Sequence, residues 1–210
     1  MAGYCIIDDE AVKEAANQEI IRRHLQAQTD FRQDKVGEDV VFKTKLLMKQ
    51  SGLDFSFRPV VAAALKKAEE TDAPAAALEL PDGKIVTGKT SSLLGASSAM
   101  LLNALKSLAG IQDNVLLLSP AVIEPIQRLK TTHLGNNNPR LHTDEILIAL
   151  SICAVTSPTA MLAMEQLQKL RGLEMHSTVI LSQVDVNVLK KLGVNLTSEP
   201  KYQSKKLYHK

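Results

Sequence analysis

The sequence predicts an α/β fold, in which helices cover a mixed β-sheet in a three-layer α/β/α-like arrangement that follows an N-terminal helical segment. Of 210 residues, 45% are hydrophobic and 23% charged, as is typical of globular proteins. Aromatic residues make up only 3% and tryptophan is absent, so the core is aliphatic, which favours helices packed on a sheet. The third observation is the order of patterns after residue 72, which reads hairpin, helix, strand, helices, strand and helix.

Residues 1–72 read as helical. A helix capped by Asp8 or Asp9 runs to about Phe31, and a second runs from about Glu38 to Gln50. A third begins at Pro59, which suits the first helical position, and continues to about Thr71. Residues 1–7 are apolar, as expected of the interior of a longer protein. No catalytic constellation appears in this segment.

The composition changes at residues 72–74, and we predict three regions: helical segment 1–72, α/β domain 73–200 and basic tail 201–210. The domain opens with a β-hairpin, because the apolar stretch Ala75–Leu80 and the β-branched stretch Lys84–Thr87 flank the turn residues Pro81-Asp82-Gly83. Further predicted strands lie at Val115–Leu118 (central and parallel), Thr178–Leu181 and Val194–Thr197, and further helices at about 97–108, 121–132, 144–155, 159–170 and 185–192.

Several partners are not expected. The net charge is +2 and no basic stripe is interleaved with aromatics, so nucleic acid is not a predicted partner. We interpret the tail lysines as a solvated end; they are Lys201, Lys205, Lys206 and Lys210. The longest apolar run, Ile146–Val155, is far short of the ~20 residues of a membrane helix. Two scattered cysteines, Cys5 and Cys153, and the lack of a signal-peptide pattern predict a cytoplasmic protein. The sequence identifies no cofactor.

Gly83, Gly88, Lys89 and Thr90 have the spacing of a phosphate-binding P-loop. A working P-loop needs a flexible glycine-rich loop whose backbone wraps around phosphates. Here the residues between the glycines include a β-branched stretch that prefers an extended chain, Ile85–Thr87. No acidic residue follows the next apolar run to hold magnesium. The pattern therefore favours a hairpin strand over an ATPase motif.

A less specific anion site remains. Polar residues lie where this strand ends and the next helix begins, and free N–H groups at a helix start favour an anion. We predict a ligand-binding cradle made of Lys89, Thr90, Ser91, Ser97 and Ser98. The alternative is that the serines and threonine only cap the helix.

A second polar cluster lies at residues 136–145. We predict Arg140 as a ligand-binding residue and His142, Asp144 and His176 as catalytic acid–base groups, with His176 reaching the same sheet edge. The alternative is local capping by Thr143, with the acidic residues favouring the helix dipole. No metal site is predicted, because no second histidine stands at ligand spacing.

Three long runs carry a family resemblance: LPDGKIVTGKTSSLLGASSAMLLNALKSLAGI (80–111), SPAVIEPIQRLKTTHLGNNNPRLHTDEILIALSICAVTSPTAMLAMEQL (119–167) and HSTVILSQVDVNVLKKLGVNLTSEP (176–200). They closely resemble the bacterial uncharacterised protein family 0371, also called domain of unknown function 1846. Family members are about twice this length, so the resemblance implies that the chain is a C-terminal half. It also implies that an N-terminal, nucleotide-fold-like α/β domain lies outside the chain.

Two functions are compatible with these features. The first is the C-terminal part of an enzyme or binding protein for a small, anionic, possibly phosphorylated metabolite. The second is a structural or oligomerisation module whose chemistry lies in the N-terminal domain. In either case we expect a homo-oligomer or a partner N-terminal domain.

Overall fold

A computed structural model describes residues 8–203, which form helices on both faces of a four-stranded sheet. The strands are β1 (Ala75–Glu79), β2 (Ile85–Lys89), β3 (Glu174–Ser177) and β4 (Asn195–Ser198), in the order β2-β1-β3-β4. β1 is antiparallel to both neighbours, whereas β3 and β4 are parallel. The predicted α/β fold with a mixed sheet is confirmed. The apolar residues 1–7, including Cys5, and the tail beyond residue 203 lie outside the described residues.

The predicted hairpin is confirmed as β1 and β2. Gly83 adopts a φ of +79°, and its N–H donates to the carbonyl of Leu80 in the turn. Gly88 lies in β2, directly under a helix: a Cβ at this position would stand 2.1 Å from the backbone nitrogen of Met100. The structure therefore explains both glycines of the P-loop spacing: Gly83 is required by the turn, and Gly88 by the close approach of helix and strand.

The three N-terminal helices lie where their local signals predict. They are α1 (Asp9–Arg32), α2 (Glu38–Gln50) and α3 (Pro59–Thr71). The Asp8 side chain accepts a hydrogen bond from the N–H of Ala11 and so caps α1. α1 packs against α2 and β4, and α3 packs against β1, β2 and β3. The boundary near residue 72 stays a prediction.

The remaining helices build the layer that contains the candidate site. They are α4 (Ala96–Leu108), α5 (Pro120–Arg128), α6 (Thr143–Ala154), α7 (Pro158–Met164) and α8 (Gln183–Lys191). A π-helical turn, Leu129–His133, extends α5. Side chains alternate across a strand, so Ala77 packs with α3 on one face, while Ala76 and Leu78 join α4 in the main core.

Two of the predicted strands are wrong in position. Val115–Leu118 is not a strand: Leu117 and Leu118 are buried in the core, but the sheet contains no strand from this segment. β3 precedes the predicted Thr178–Leu181 and begins at Glu174. In both cases burial of an irregular segment produced an apolar run, because periodicity cannot tell a short buried strand from a buried loop.

A buried arginine anchors α3 to the sheet. Arg58 has no exposed surface, and its guanidinium donates to the carbonyls of Met175 and Asn195 and to the hydroxyl of Thr197. It also forms an ion pair with Glu174, which Arg22 of α1 contacts at 2.5 Å. Every helix among residues 8–203 is too short or too polar to cross a bilayer.

Candidate anion and acid–base site

A small cavity lies where the start of α4 meets the loop before α6 and the start of α8. Its volume is about 30 Å³, which accommodates roughly two water-sized groups. Polar lining side chains come from separate segments: Thr90, Ser97, Asn138, Arg140, His142, Asp185 and Gln203. This "α4 pocket" therefore joins residues from both predicted polar clusters.

The start of α4 offers hydrogen-bond donors to the pocket. Gly95 is the N-cap and provides no side-chain cap. Within the described residues, the N–H groups of Ala96, Ser97 and Ser98 have no acceptor. The Ser97 side chain is only 2% exposed, lines the pocket and has no hydrogen-bond partner in that part of the chain. The hydroxyl oxygen is not fully enclosed, so an acceptor that enters the pocket can reach it.

Arg140 lines the same pocket. Its Nε donates to the carbonyl of Ser91 at 2.8 Å, and no residue between 8 and 203 accepts from its two terminal nitrogens. The buried Lys130, in the π-helical turn, donates to the Arg140 carbonyl at 2.6 Å and holds this backbone in place. Leu141 then pairs with the segment before α4, accepting from the N–H of Gly95 and donating to the carbonyl of Leu93. The guanidinium thus adds positive charge beside the start of α4.

His142 is the N-cap of α6 and forms a pair with Asp185 of α8. The Nδ1 of His142 lies 3.0 Å from Oδ2 of Asp185. The other oxygen, Oδ1, accepts from the N–H of Thr143 at 2.8 Å, and the Ser182 hydroxyl donates to Oδ2 at 2.7 Å. The remaining ring nitrogen, Nε2, lies 3.5 Å from Nδ2 of Asn138, which also lines the pocket.

The two ionisable groups shift each other toward their charged forms. Hydrogen bonding to Asp185 raises the pKa of His142 above its ordinary value of 6.5, against the opposing effect of burial. Burial acts to raise the pKa of Asp185, but the hydrogen bonds and charge of His142, with Ser182 and Thr143, lower it overall. Asp185 is therefore a carboxylate at neutral pH, and His142 gains a proton more readily than an isolated histidine.

A second acidic group fixes the histidine backbone. Glu145 accepts from the N–H of His142 at 2.7 Å and from the Nζ of Lys130 at the same distance. His142, rather than the predicted Thr143, therefore caps α6, and Thr143 is its first residue. The hydroxyl of Thr143 is buried without a hydrogen-bond partner within the described part of the chain.

The structure brings four of the nine predicted site residues into the pocket: Thr90, Ser97, Arg140 and His142. The side chains of the other five point to other contacts or to solvent. Lys89 is exposed, Ser91 accepts from the N–H groups of Leu93 and Leu94, and Ser98 donates to the carbonyl of Leu141. Asp144 accepts from the N–H of Glu145, so the carboxylate beside the His142 ring is Asp185 instead.

His176 does not reach the pocket. In the β1–β3 ladder it pairs with Ala77, and such partners share a sheet face, here the face covered by α3. Its Nδ1 lies 3.0 Å from the Thr197 hydroxyl and its Nε2 lies 3.3 Å from a Glu199 oxygen. Burial lowers the pKa of His176, and Glu199 only partly opposes this. The sheet therefore separates the two histidines.

Sequence reasoning missed Asp185, Ser182 and Asn138. The sequence predicts Asp185 only as the start of a short helix. The structure also places it in the first turn of α8, where the cap residue Ser182 accepts from the N–H of Asp185. The pattern Ser182-x-x-Asp185 is a capping signal, and it masked the second role of the carboxylate. Its contact with His142 spans 43 positions of sequence, which no local pattern reports.

Family models match almost all of the chain. The C-terminal domain model of DUF1846, a domain of unknown function, matches residues 56–208, and the N-terminal model matches residues 1–52. The chain belongs to the DUF1846 family. The predicted resemblance is therefore confirmed, and the two DUF1846 models meet just before α3.

Curated relatives of this DUF1846 chain are called UPF0371 proteins. One from Corynebacterium efficiens is 55% identical over all 210 residues, which are 42% of its own length. Relatives from Corynebacterium glutamicum strain R and Streptococcus pneumoniae serotype 19F are each 54% identical, with the same coverage. The chain thus spans less than half the length of the relatives it matches.

Proposed function

We propose that the α4 pocket binds a small anion, and that the chain is the C-terminal part of an enzyme or binding protein for a small anionic, possibly phosphorylated metabolite. The observation that carries this proposal is that Ser97, a residue only 2% exposed, has no hydrogen-bond partner for its hydroxyl within residues 8–203, beside three N–H groups at the start of α4 that also lack an acceptor there. A 13-residue helix presents a partial positive charge at that end.

Charge and size support an anion over a neutral ligand. Arg140 lines the pocket and contributes a guanidinium whose terminal nitrogens have no acceptor within residues 8–203. Guanidinium and backbone donors together suit the planar or tetrahedral oxygens of carboxylates and phosphates. The volume of about 30 Å³ matches an anionic group rather than a whole nucleotide, so the rest of a larger ligand would lie outside the pocket.

Anion titrations test this proposal directly. Sulfate, inorganic phosphate and a small carboxylate such as acetate are titrated against the chain, and thermal unfolding is recorded. Binding at 100 times the dissociation constant adds about 2.7 kcal/mol of stability. We expect Ser97→Ala and Arg140→Gln to abolish the anion-dependent shift.

Lys89→Gln is the matched control, because it removes one positive charge, as Arg140→Gln does. The side chain of Lys89, at the end of β2, is exposed and does not line the pocket. This variant should keep the shift. An anion-dependent shift that survives in Arg140→Gln and Ser97→Ala, or that is lost equally in Lys89→Gln, contradicts the assigned site.

The oligomerisation module is a second candidate, favoured by an apolar surface on α6 and α7. Ile148, Ile152 and Val155 follow one helical face and are exposed, Val155 at 83%, beside Met161 and Leu162. Large exposed apolar patches typically mark contact surfaces. We propose that this surface contacts a second copy or the N-terminal part found in the longer relatives.

Sedimentation velocity separates the two occupants of this surface. A dimer that Ile152→Lys dissociates identifies a second copy, whereas a monomer that binds a separately purified N-terminal part of a relative identifies that partner. A monomer that binds neither contradicts the module, and it leaves the anion site unaffected.

A further inference from the structure

Resting on the proposed anion site, we propose that Asp185 is a positioning residue that fixes His142 with a proton on Nδ1, so that Nε2 takes up a proton when the anion binds. The α4 pocket would then be an acid–base site rather than a passive cradle. The ligand class is accordingly a small oxyanion that accepts a hydrogen bond from Nε2–H beside its contacts with the start of α4.

The hydrogen-bond inventory around Asp185 determines which ring nitrogen carries the proton. A carboxylate only accepts, and Oδ1 is occupied by the N–H of Thr143. The Ser182 hydroxyl donates its single proton to Oδ2 at 2.7 Å, so it has none for His142, although it lies 3.3 Å from Nδ1. Nδ1 must therefore donate to Oδ2, and in the neutral ring Nε2 bears the lone pair.

The charged groups around His142 come from α8, α6, the π-helical turn and the preceding loop. Asp185 approaches from α8, and Glu145 accepts from the His142 backbone within α6, where Asp144 is the neighbouring residue. Lys130, in the π-helical turn, opposes protonation, while Asp185 and Glu145 favour it. Arg140 belongs to the preceding loop and lines the same pocket.

A bound anion changes this balance in one direction. It places negative charge beside the ring, which favours the imidazolium. Nε2 gains the proton from solvent and donates it in a charge-assisted hydrogen bond to the anion. By linkage, the anion then binds more tightly to the protonated protein, and its affinity falls as the pH rises through the pKa of His142.

Two measurements on the same chain test the inference. Nitrogen-15 NMR of the imidazole ring reports which nitrogen is protonated in the neutral state. We expect Nδ1–H in the wild type and a shift toward Nε2–H in Asp185→Asn, because the amide Nδ2 donates to Nδ1. A merely structural role of Asp185 does not predict this change of tautomer. A neutral wild-type ring that carries its proton on Nε2 would by itself refute the positioning role.

Sulfate affinity is the second measurement, because sulfate does not titrate between about pH 5 and 9, whereas histidine does. We expect a loss of affinity on the order of fivefold or more across this range in the wild type. In His142→Gln the affinity should be weaker and independent of pH.

The outcomes separate this inference from the proposed function. Equal, pH-independent sulfate affinity in the wild type and in His142→Gln refutes proton coupling, while the anion site stands. Absence of sulfate binding at every pH refutes the anion site and the coupling together. An Nδ1–H ring that persists in a folded Asp185→Asn protein refutes the role of Asp185, whatever binds in the pocket.

Discussion

Gly88→Ala should destabilise the protein strongly. The added Cβ would stand 2.1 Å from the nitrogen of Met100, 2.6 Å from its Cα and 2.7 Å from the carbonyl carbon of Ala99. All three are backbone atoms of α4, so no side chain can rotate away, and the helix must retreat by roughly 1 Å in a closely packed core. Overpacking typically costs about 1–3 kcal/mol, and we expect the upper end or more because a whole helix is displaced.

Thermal and chemical unfolding measure this cost. A loss of about 3 kcal/mol lowers the melting temperature by roughly 6–12 °C for a chain of this size. Gly83→Ala is the matched control, since it is the other glycine of the same spacing but has no heavy atom within 4 Å of the added Cβ. Its strain comes only from the positive φ and should be about 1–2 kcal/mol. If Gly88→Ala unfolds like the wild type, the close-approach explanation of this glycine is refuted.

Three further predictions concern burial and charge. Arg58→Ala should cost about 3–5 kcal/mol in urea unfolding, because it empties a buried site and removes the donor for the carbonyls of Met175 and Asn195; a loss below about 1 kcal/mol would contradict an anchoring role. Because the folded pKa of His142 is raised, its contribution to stability is fully present below the ordinary value of 6.5 and is lost as the pH rises through the folded value. Unfolding free energies of His142→Gln should therefore fall less with pH above 6.5 than those of the wild type, and parallel profiles would count against this. Leu117→Ala should cost about 2–5 kcal/mol and Leu116→Ala no more than about 0.5, since these residues are 7% and 68% exposed; equal losses would contradict this difference in burial.

Local signals were sufficient for most helices. α2 and α3 begin and end at the predicted residues because Gly37, the Ser51-Gly52 stop and Pro59 act within one turn of the chain. The hairpin was predictable for the same reason, because its turn residues also act within a few positions of the chain. Strand positions elsewhere depend on pairing across long sequence distances, and β3 contains Glu174 and His176, whose polarity is satisfied only by distant partners.

The candidate site was predictable to a similar extent. Its two clusters stood out because helix starts concentrate polar residues, and the fold then brought Ser97 and Arg140 to one cavity. The choice of acid–base partner failed for a physical reason: Asp144, two positions away, is occupied by a backbone N–H, whereas Asp185 arrives from another helix.

The boundary between the two family models falls between elements that pack against each other, and not in a linker between independent domains. Ile21, Leu25 and Met48, all in the stretch matched by the N-terminal model, share a hydrophobic cluster with Val61 of α3. A fragment that begins at residue 56 would lack α1 and α2. Val61 would then be exposed, Glu174 would lose its ion pair with Arg22, and β4 would lose its contacts with α1. Cutting this chain between its two family models would therefore expose core residues, whereas a cut placed before α1 keeps this core whole.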